Sequence, residues 1–202
     1  MVEAPAHALR YDSFAIAPEH RKAWDQMGLG ALTSTSDQPV SRAYSIASTI
    51  HDGSQRITLL IRLALPPLDR PEAKPGVVSS WLFGLKQGDT VQLSGPFGDF
   101  AAQDSDREMV FIGGGVGMAP LRAIISDQLE RRATKRAISF WFGARSGIDL
   151  YYVDEFDQRQ ARYPNFRWTA ALSDPAKDDD WQGETGFIHD VALRTYLGAH
   201  PA

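Results

Sequence analysis

The apolar positions of the chain follow two rhythms. From residue 1 to about 100, short β-type runs alternate with Gly, Pro, Ser and Thr. Ile57-Thr58-Leu59-Leu60-Ile61-Arg62-Leu63 and the period-two run Thr90-Val91-Gln92-Leu93-Ser94 predict strands. A proline-rich loop (Pro66, Pro67, Pro71, Pro75) and a short helix from Ser80 to Lys86 are predicted between them. Pro18 is suited to the first turn of another helix reaching Met27. Short strands with this punctuation predict a β-barrel or sandwich.

Beyond that the rhythm changes to strand, helix, strand. Met109–Ile112, Ala137–Phe142 and Phe166–Ala171 predict strands. Leu121, Ile124, Ile125 and Leu129 share one face of a helix predicted over Pro120–Arg132, with Arg131 and Arg132 at its negative end. A second helix capped by Asp149 runs to about Arg162, with Tyr152, Phe156 and Tyr163 on one stripe, and a last one spans Asp190–Leu197. This alternation predicts a parallel sheet with right-handed crossovers. The fold expected is thus β-barrel plus α/β, with domains at 1–102 and 103–202 divided in the polar stretch Gln103–Arg107.

Composition narrows the chemistry. The 202 residues hold 21 Lys and Arg against 25 Asp and Glu, a net charge of −4, with no long basic run to suggest nucleic acid. The longest uncharged stretch, Met109 to Leu121, is short of the roughly 20 residues that cross a bilayer. Cysteine is absent, so this chain offers no thiolate for a metal site or cluster. The histidines (His7, His20, His51, His189, His200) are scattered, and no metal site is expected. The acidic run Asp178, Asp179, Asp180 reads as a solvated loop. Met1–Arg10 has no signal-peptide core, which makes the cytosol the default compartment.

The strongest chemical signal is Phe111-Ile112-Gly113-Gly114-Gly115-Val116-Gly117-Met118-Ala119-Pro120, a strand that runs into glycines and opens a helix. Such a turn lets a phosphate approach free N–H groups at the positive end of a helix; its plainer use is to pack helix on strand. No Lys followed by Ser or Thr comes after the glycines, which excludes a P-loop. The dinucleotide fingerprint also fits badly. Met118 or Pro120 falls where its third glycine belongs, and the second strand ends Phe142-Gly143-Ala144-Arg145 without an acidic residue. Two weaker signals lie upstream. Arg42-Ala43-Tyr44-Ser45 puts a cation and a flat ring on one face of a strand and a hydroxyl on the other, as many exposed strands do. Gly76-Val77-Val78-Ser79-Ser80 reads either as a helix cap or as a second phosphate site.

Taken in order, Arg42–Ser45, Gly76–Ser80, Gly95-Pro96-Phe97-Gly98 and Gly113–Pro120 resemble the motifs of the ferredoxin–NADP reductase family. The resemblance is closer to the branch that serves Na⁺-translocating NADH:quinone reductases. It extends through Tyr11–Trp24, Ser139–Ser146, Tyr152–Asp157, Ala171–Pro175 and Gly186–His189. It implies an antiparallel flavin-binding barrel followed by a nicotinamide-binding α/β domain. Arg42 would then pair with the FAD pyrophosphate, Tyr44 would stack on the isoalloxazine, and Ser45 would lie near its N5. Arg62 would help hold the FAD phosphates or ribose, and Gly76, Val77, Val78, Ser79 and Ser80 would bind the pyrophosphate. Gly114, Gly115, Val116, Gly117 and Met118 would receive NADH, and Gly143, Ala144 and Arg145 would border its adenosine end. Arg145 stands where NADPH enzymes can hold a 2′-phosphate, whereas the branch implies NADH.

The implied activity is hydride transfer from NADH to FAD, with electrons passing to an iron–sulfur centre and then to quinone. The implied partners are the iron–sulfur domain and membrane subunits of such a reductase, at the cytoplasmic side of a bacterial inner membrane. Against the family's pattern, the chain lacks the iron–sulfur domain, the membrane anchor, the first barrel strands, a Cys-Gly-Pro-Pro segment and a final aromatic residue. A soluble fragment with an incomplete barrel is expected. The alternatives are the reductase component of an oxygenase and a truncated, non-catalytic nucleotide- or partner-binding piece.

Overall fold

The computed structural model describes residues 1–67, 69–176 and 180–198, so Asp178 and Asp179 of the acidic run, and His200, lie outside the described residues. Two compact units form. One is Met1–Tyr44 with Ile61–Asp99; the other is Ser45–Leu60 with Phe100–Ala202.

The first unit is built on antiparallel pairing. Strand β1 (Val2–Ala4) lies between β4 (Val40–Arg42) and β5 (Gln92–Leu93), with Val2 opposite both Arg42 and Leu93. A second pair joins β2 (His7–Arg10) to β3 (Thr33–Ser36). Helix α1 (Pro18–Gln26) starts on its proline, where the missing N–H costs nothing. Helix α2 (Val77–Gly84) is the other helix of this unit. Tyr11, Phe14, Trp24 and Leu29 form the core, with Phe83, Leu63 and Leu65 packed against it. The Tyr11 and Phe14 rings stack at 4.5 Å.

Two strand expectations fail here. Ile57–Leu63 makes only a single bridge, Leu59 to Ile46. The reason is that the run is divided: residues up to Leu60 fold with the second unit and Ile61 onward with the first, so no continuous partner runs beside it. Of Thr90–Ser94, only Gln92–Leu93 is a strand, because β1 is too short to pair with more. The helix expected at Ser80–Lys86 starts earlier, at Val77, since the Gly76 carbonyl accepts the Ser80 N–H at 2.9 Å. It ends before Lys86, whose N–H donates to the Asp89 carboxylate at 2.7 Å.

The second unit carries the expected parallel sheet. Strands β6 (Met109–Gly114), β7 (Ile138–Ala144), β8 (Phe166–Leu172) and β9 (Glu184–Thr185) pair in sequential order, all parallel. Alternate side chains of the strands face two cores. On one face Phe111, Ile138, Phe140, Phe142 and Phe166 meet Met118, Leu121 and Ile125 of α3 (Met118–Ser126) and Phe156 of α4 (Val153–Arg162). On the other, Trp141 and Ala171 meet Ile188, Val191 and Ala192 of α5 (Ile188–Ala192). Burying each large side chain contributes about 1.5–3 kcal/mol.

The helix limits shift in three places. Helix α3 begins at Met118 rather than Pro120, and its last part, Asp127–Arg131, continues as a π-turn. Asp149 caps a separate 3-10 turn over Gly147–Asp149, in a box with Ser146; Tyr152, at φ 60°, then breaks the chain direction before α4. Helix α5 begins at Ile188, ahead of Asp190, and also runs into a π-turn, Leu193–Leu197. Among the described residues, no helix is long and apolar enough to cross a membrane.

Candidate functional site

Parallel pairing sets Gly114 opposite Gly143, so β6 and β7 end level, and α3 opens beside that end. Carboxyl ends of parallel strands are where open α/β sheets hold ligands. The four glycines of the turn divide by use. A Cβ on Gly113 would sit 2.7 Å from the Leu121 side chain, so this glycine seats α3 on β6. Gly115 turns the chain at φ +50°, and a Cβ there or on Gly117 would meet nothing within 4 Å. These two positions form an open cradle at the positive end of the nine-residue α3, whose first N–H, that of Met118, donates back to the Gly115 carbonyl of the preceding 3-10 turn. Gly114 is exposed and Val116 half-buried. Met118 is 0% exposed, so its side chain belongs to the core and only its backbone borders the turn.

On the neighbouring strand, a Cβ on Gly143 would meet Ile188 at 2.7 Å, which makes this glycine the seat of α5. Ala144 is buried. Arg145 is exposed and already paired: its guanidinium donates to the Asp174 carboxylate at 3.0 Å, while the Asp174 N–H donates to the Arg145 carbonyl at 2.8 Å.

In the first unit, Gly76 is packed closely. A Cβ would lie 2.7 Å from that of Ala64, and the Gly76 N–H donates to the Ala64 carbonyl at 2.8 Å. Neither serine caps α2. Both donate back to the Gly76 carbonyl, Ser79 at 3.0 Å and Ser80 at 2.6 Å, and Ser79 accepts the Ala64 N–H. The Ser80 hydroxyl also meets the Tyr11 hydroxyl at 2.6 Å, inside the core. Burial, opposed by that hydrogen bond, pushes the Tyr11 phenol up. The first turn of α2 opens on the backbone N–H groups of Val77, half-buried, and Val78, buried.

Strand β4 stops at Arg42, so Ala43, Tyr44 and Ser45 follow it as irregular chain rather than as the strand expected. Arg42 is exposed and donates to the Ser41 carbonyl at 2.9 Å. Tyr44 is half-buried; burial pushes its phenol up, against the lowering effect of the Arg42 charge. Ala43, Ser45 and Arg62 are exposed. Among the described residues, neither Arg42 nor Arg62 is ion-paired.

The sequence reading missed a buried ionic cluster in the second unit. Arg122, 4% exposed, donates to both oxygens of Asp52 (3.1 and 2.9 Å), both of Glu155 (2.7 and 2.6 Å), and the Ala47 carbonyl (2.7 Å). Its guanidinium also lies 4.5 Å from the Tyr152 ring centre. Burial opposes the Arg122 charge, but the two carboxylates outweigh it and hold its pKa above the ordinary value. Hydrogen bonds from Arg122, chiefly, lower Asp52 to about 2. Arg159 extends the cluster through Glu155, Glu130 and Ser126. The only readable trace was the Glu155–Arg159 spacing along α4; an arginine beside Leu121 gave no hint of its partners.

The donors suit two anionic cofactors: the exposed Arg42 beside the half-buried Tyr44 phenol in one unit, an open glycine cradle at a helix head in the other. This defines a class, the FAD- and NAD-binding oxidoreductases. A family described as the oxidoreductase FAD-binding domain matches residues 29–101, and the oxidoreductase NAD-binding domain matches 111–201. The chain belongs to the ferredoxin reductase-like family.

Among its relatives is the F subunit of the Na(+)-translocating NADH-quinone reductase of Yersinia pseudotuberculosis, 50% identical over 201 residues, covering 100% of this chain and 49% of that protein. Its counterpart from Neisseria meningitidis gives the same identity and coverage. The chain thus spans about half the length of the curated relatives it matches. The crystal structure of the Amycolatopsis cytochrome P450 reductase is similar at TM-score 0.62 and 31% identity, covering 83% of this chain and 46% of that one. The cytochrome b5 reductase domain of Ulva prolifera nitrate reductase shares the fold, at TM-score 0.61 and 20% identity over 80% of this chain and 65% of that one.

Proposed function

We propose that this chain is the NADH-oxidising flavin module of a Na⁺-translocating NADH:quinone reductase. The observation that carries the reading is 50% identity along the whole chain to the F subunits of such reductases. The domains are proposed as 1–102 for FAD and 103–202 for NADH. FAD, held by the residues named below, would supply a two-electron hydride acceptor that can pass electrons on one at a time.

The chain's own part is binding and alignment. Arg42 and Arg62 neutralise FAD phosphates, Tyr44 supports the ring system, and Ser45 offers a hydroxyl to its edge. Gly76, Val77, Val78, Ser79 and Ser80 present the α2 turn to the pyrophosphate through backbone N–H groups, since both serine hydroxyls are engaged inward. Gly114, Gly115, Val116, Gly117 and the backbone of Met118 receive NADH, bordered by Gly143, Ala144 and Arg145. No side chain has to take or give a proton for a hydride to move, so the chain's part is to bind and align. The Asp174 carboxylate on Arg145 repels a 2′-phosphate and occupies its natural partner, which favours NADH over NADPH.

Electrons would leave to an iron–sulfur domain and the membrane subunits of the complex, at the cytoplasmic face of a bacterial inner membrane. The Amycolatopsis likeness supports a second reading, a reductase that feeds an oxygenase. Purified protein loaded with FAD should lose its flavin absorbance on anaerobic addition of NADH, and more slowly with NADPH. Protein that cannot be loaded with FAD, or whose flavin NADH leaves oxidised, would overturn the proposal.

A further inference from the structure

Arg122 joins two parts of the second unit that the proposed chemistry needs in register. It lies one helical turn beyond Met118, so α3 ties it rigidly to the Gly115–Gly117 turn. Its head group reaches the Ser45–Leu60 segment at two points, the Ala47 carbonyl and the Asp52 carboxylate. That segment is itself stiff. Asp52 accepts the Thr49 N–H at 2.7 Å and closes the Ile50–Asp52 turn, the Ala47 N–H donates to Thr58, and the Thr58 N–H donates to the Ser48 hydroxyl at 2.9 Å. Ala47 is two residues beyond Ser45. An arginine has five N–H donors, and the five bonds to Ala47, Asp52 and Glu155 use them all. Glu155 in turn braces the head group from α4.

We propose that Arg122 is a positioning residue for hydride transfer: it fixes Ser45, at the flavin end, relative to the glycine turn that receives the nicotinamide nucleotide. The inference rests on the proposed function and adds to it a residue that touches neither cofactor. In C4-to-N5 transfer one C–H bond breaks as one N–H bond forms, both electrons and the hydrogen moving together, so small misalignments slow the step while binding survives.

The test uses the FAD-loaded protein. Arg122→Lys keeps the charge but offers a single point in place of a planar fork. Its affinities for FAD and NADH are expected within about threefold of the parent. Single-turnover flavin reduction should fall by about tenfold or more, with a larger isotope effect from C4-deuterated NADH. Should this variant fail to fold, Glu155→Gln removes one brace and should give a milder slowing with the same signature. A variant whose flavin is reduced at the parent rate, whatever its melting temperature, overturns the inference, as does slowing that comes wholly from lost NADH affinity. Failure of NADH to reduce the parent protein overturns the proposed function itself, and this inference with it.

Discussion

Two helices, α2 and α3, each begin on a glycine-bearing turn, and the structure uses the two turns in opposite ways. At α2, Gly76 is squeezed against Ala64, the hydroxyls of Ser79 and Ser80 both donate to the Gly76 carbonyl, and the Tyr11 hydroxyl meets that of Ser80. At α3, Gly113 is squeezed against Leu121, but Gly115 and Gly117 face open space. The helices are also anchored differently, α2 by neutral hydrogen bonds and α3 by a buried guanidinium with two carboxylates. The lesson is that a glycine before a helix can mark either a close approach of chain to chain or room left for a ligand, and only the neighbours tell which.

Substitutions separate the two uses. The largest effect is expected from Gly76→Ala. Its Cβ would meet that of Ala64, which cannot turn aside, so thermal or denaturant unfolding should show a loss of about 1–3 kcal/mol. Acid should then distinguish the anchors. The Asp52 pKa is lowered to about 2 in the folded chain, from 3.8. Its stabilisation is therefore complete above about pH 4 and is lost as the pH falls towards 2. With the carboxylate 29% exposed, the loss is on the order of 1–2 kcal/mol. Amide exchange should rise across Ala47–Asp52 in that window, Asp52→Asn should abolish this response, and the hydroxyl-anchored Tyr11–Ser80 contact should lack it. The smallest effect on stability belongs to Gly117→Ala. The added methyl meets nothing, so the melting transition should hold within about 0.5 kcal/mol. Calorimetric titration should nonetheless show NADH binding weakened by about tenfold, because the backbone no longer admits a close phosphate.

The sequence made the sheet of the second unit legible because its strands and helices carry their own periodicity. Phe140 and Phe142 alternate with Trp141 along β7, and Leu121 and Ile125 recur along α3. The first unit was harder. Its strands run from two to four residues, too short for a period to declare itself, and Ile57–Leu63 is strand-like in composition yet divided between units. Glycine turns were legible as turns, whereas the direction of Ser79 and Ser80 was not, since Ser79 is held by Ala64 and Ser80 by Tyr11, both distant in the chain. The same holds for Arg122: its acceptors on Ala47, Asp52 and Glu155 come from distant segments that only folding brings together.

The complete use of the Arg122 donors restricts how this part of the chain can evolve. Removing the guanidinium leaves both Asp52 and Glu155, 29% and 26% exposed, without it, and removing either acid leaves the buried guanidinium one carboxylate short, so each single replacement destabilises, by less than the ~3–5 kcal/mol of a fully buried pair broken from one side. Exchanging the arginine together with both acids for apolar groups of like volume would avoid that loss. Drift at these three positions is therefore expected to be concerted, with the trio inherited or abandoned as one.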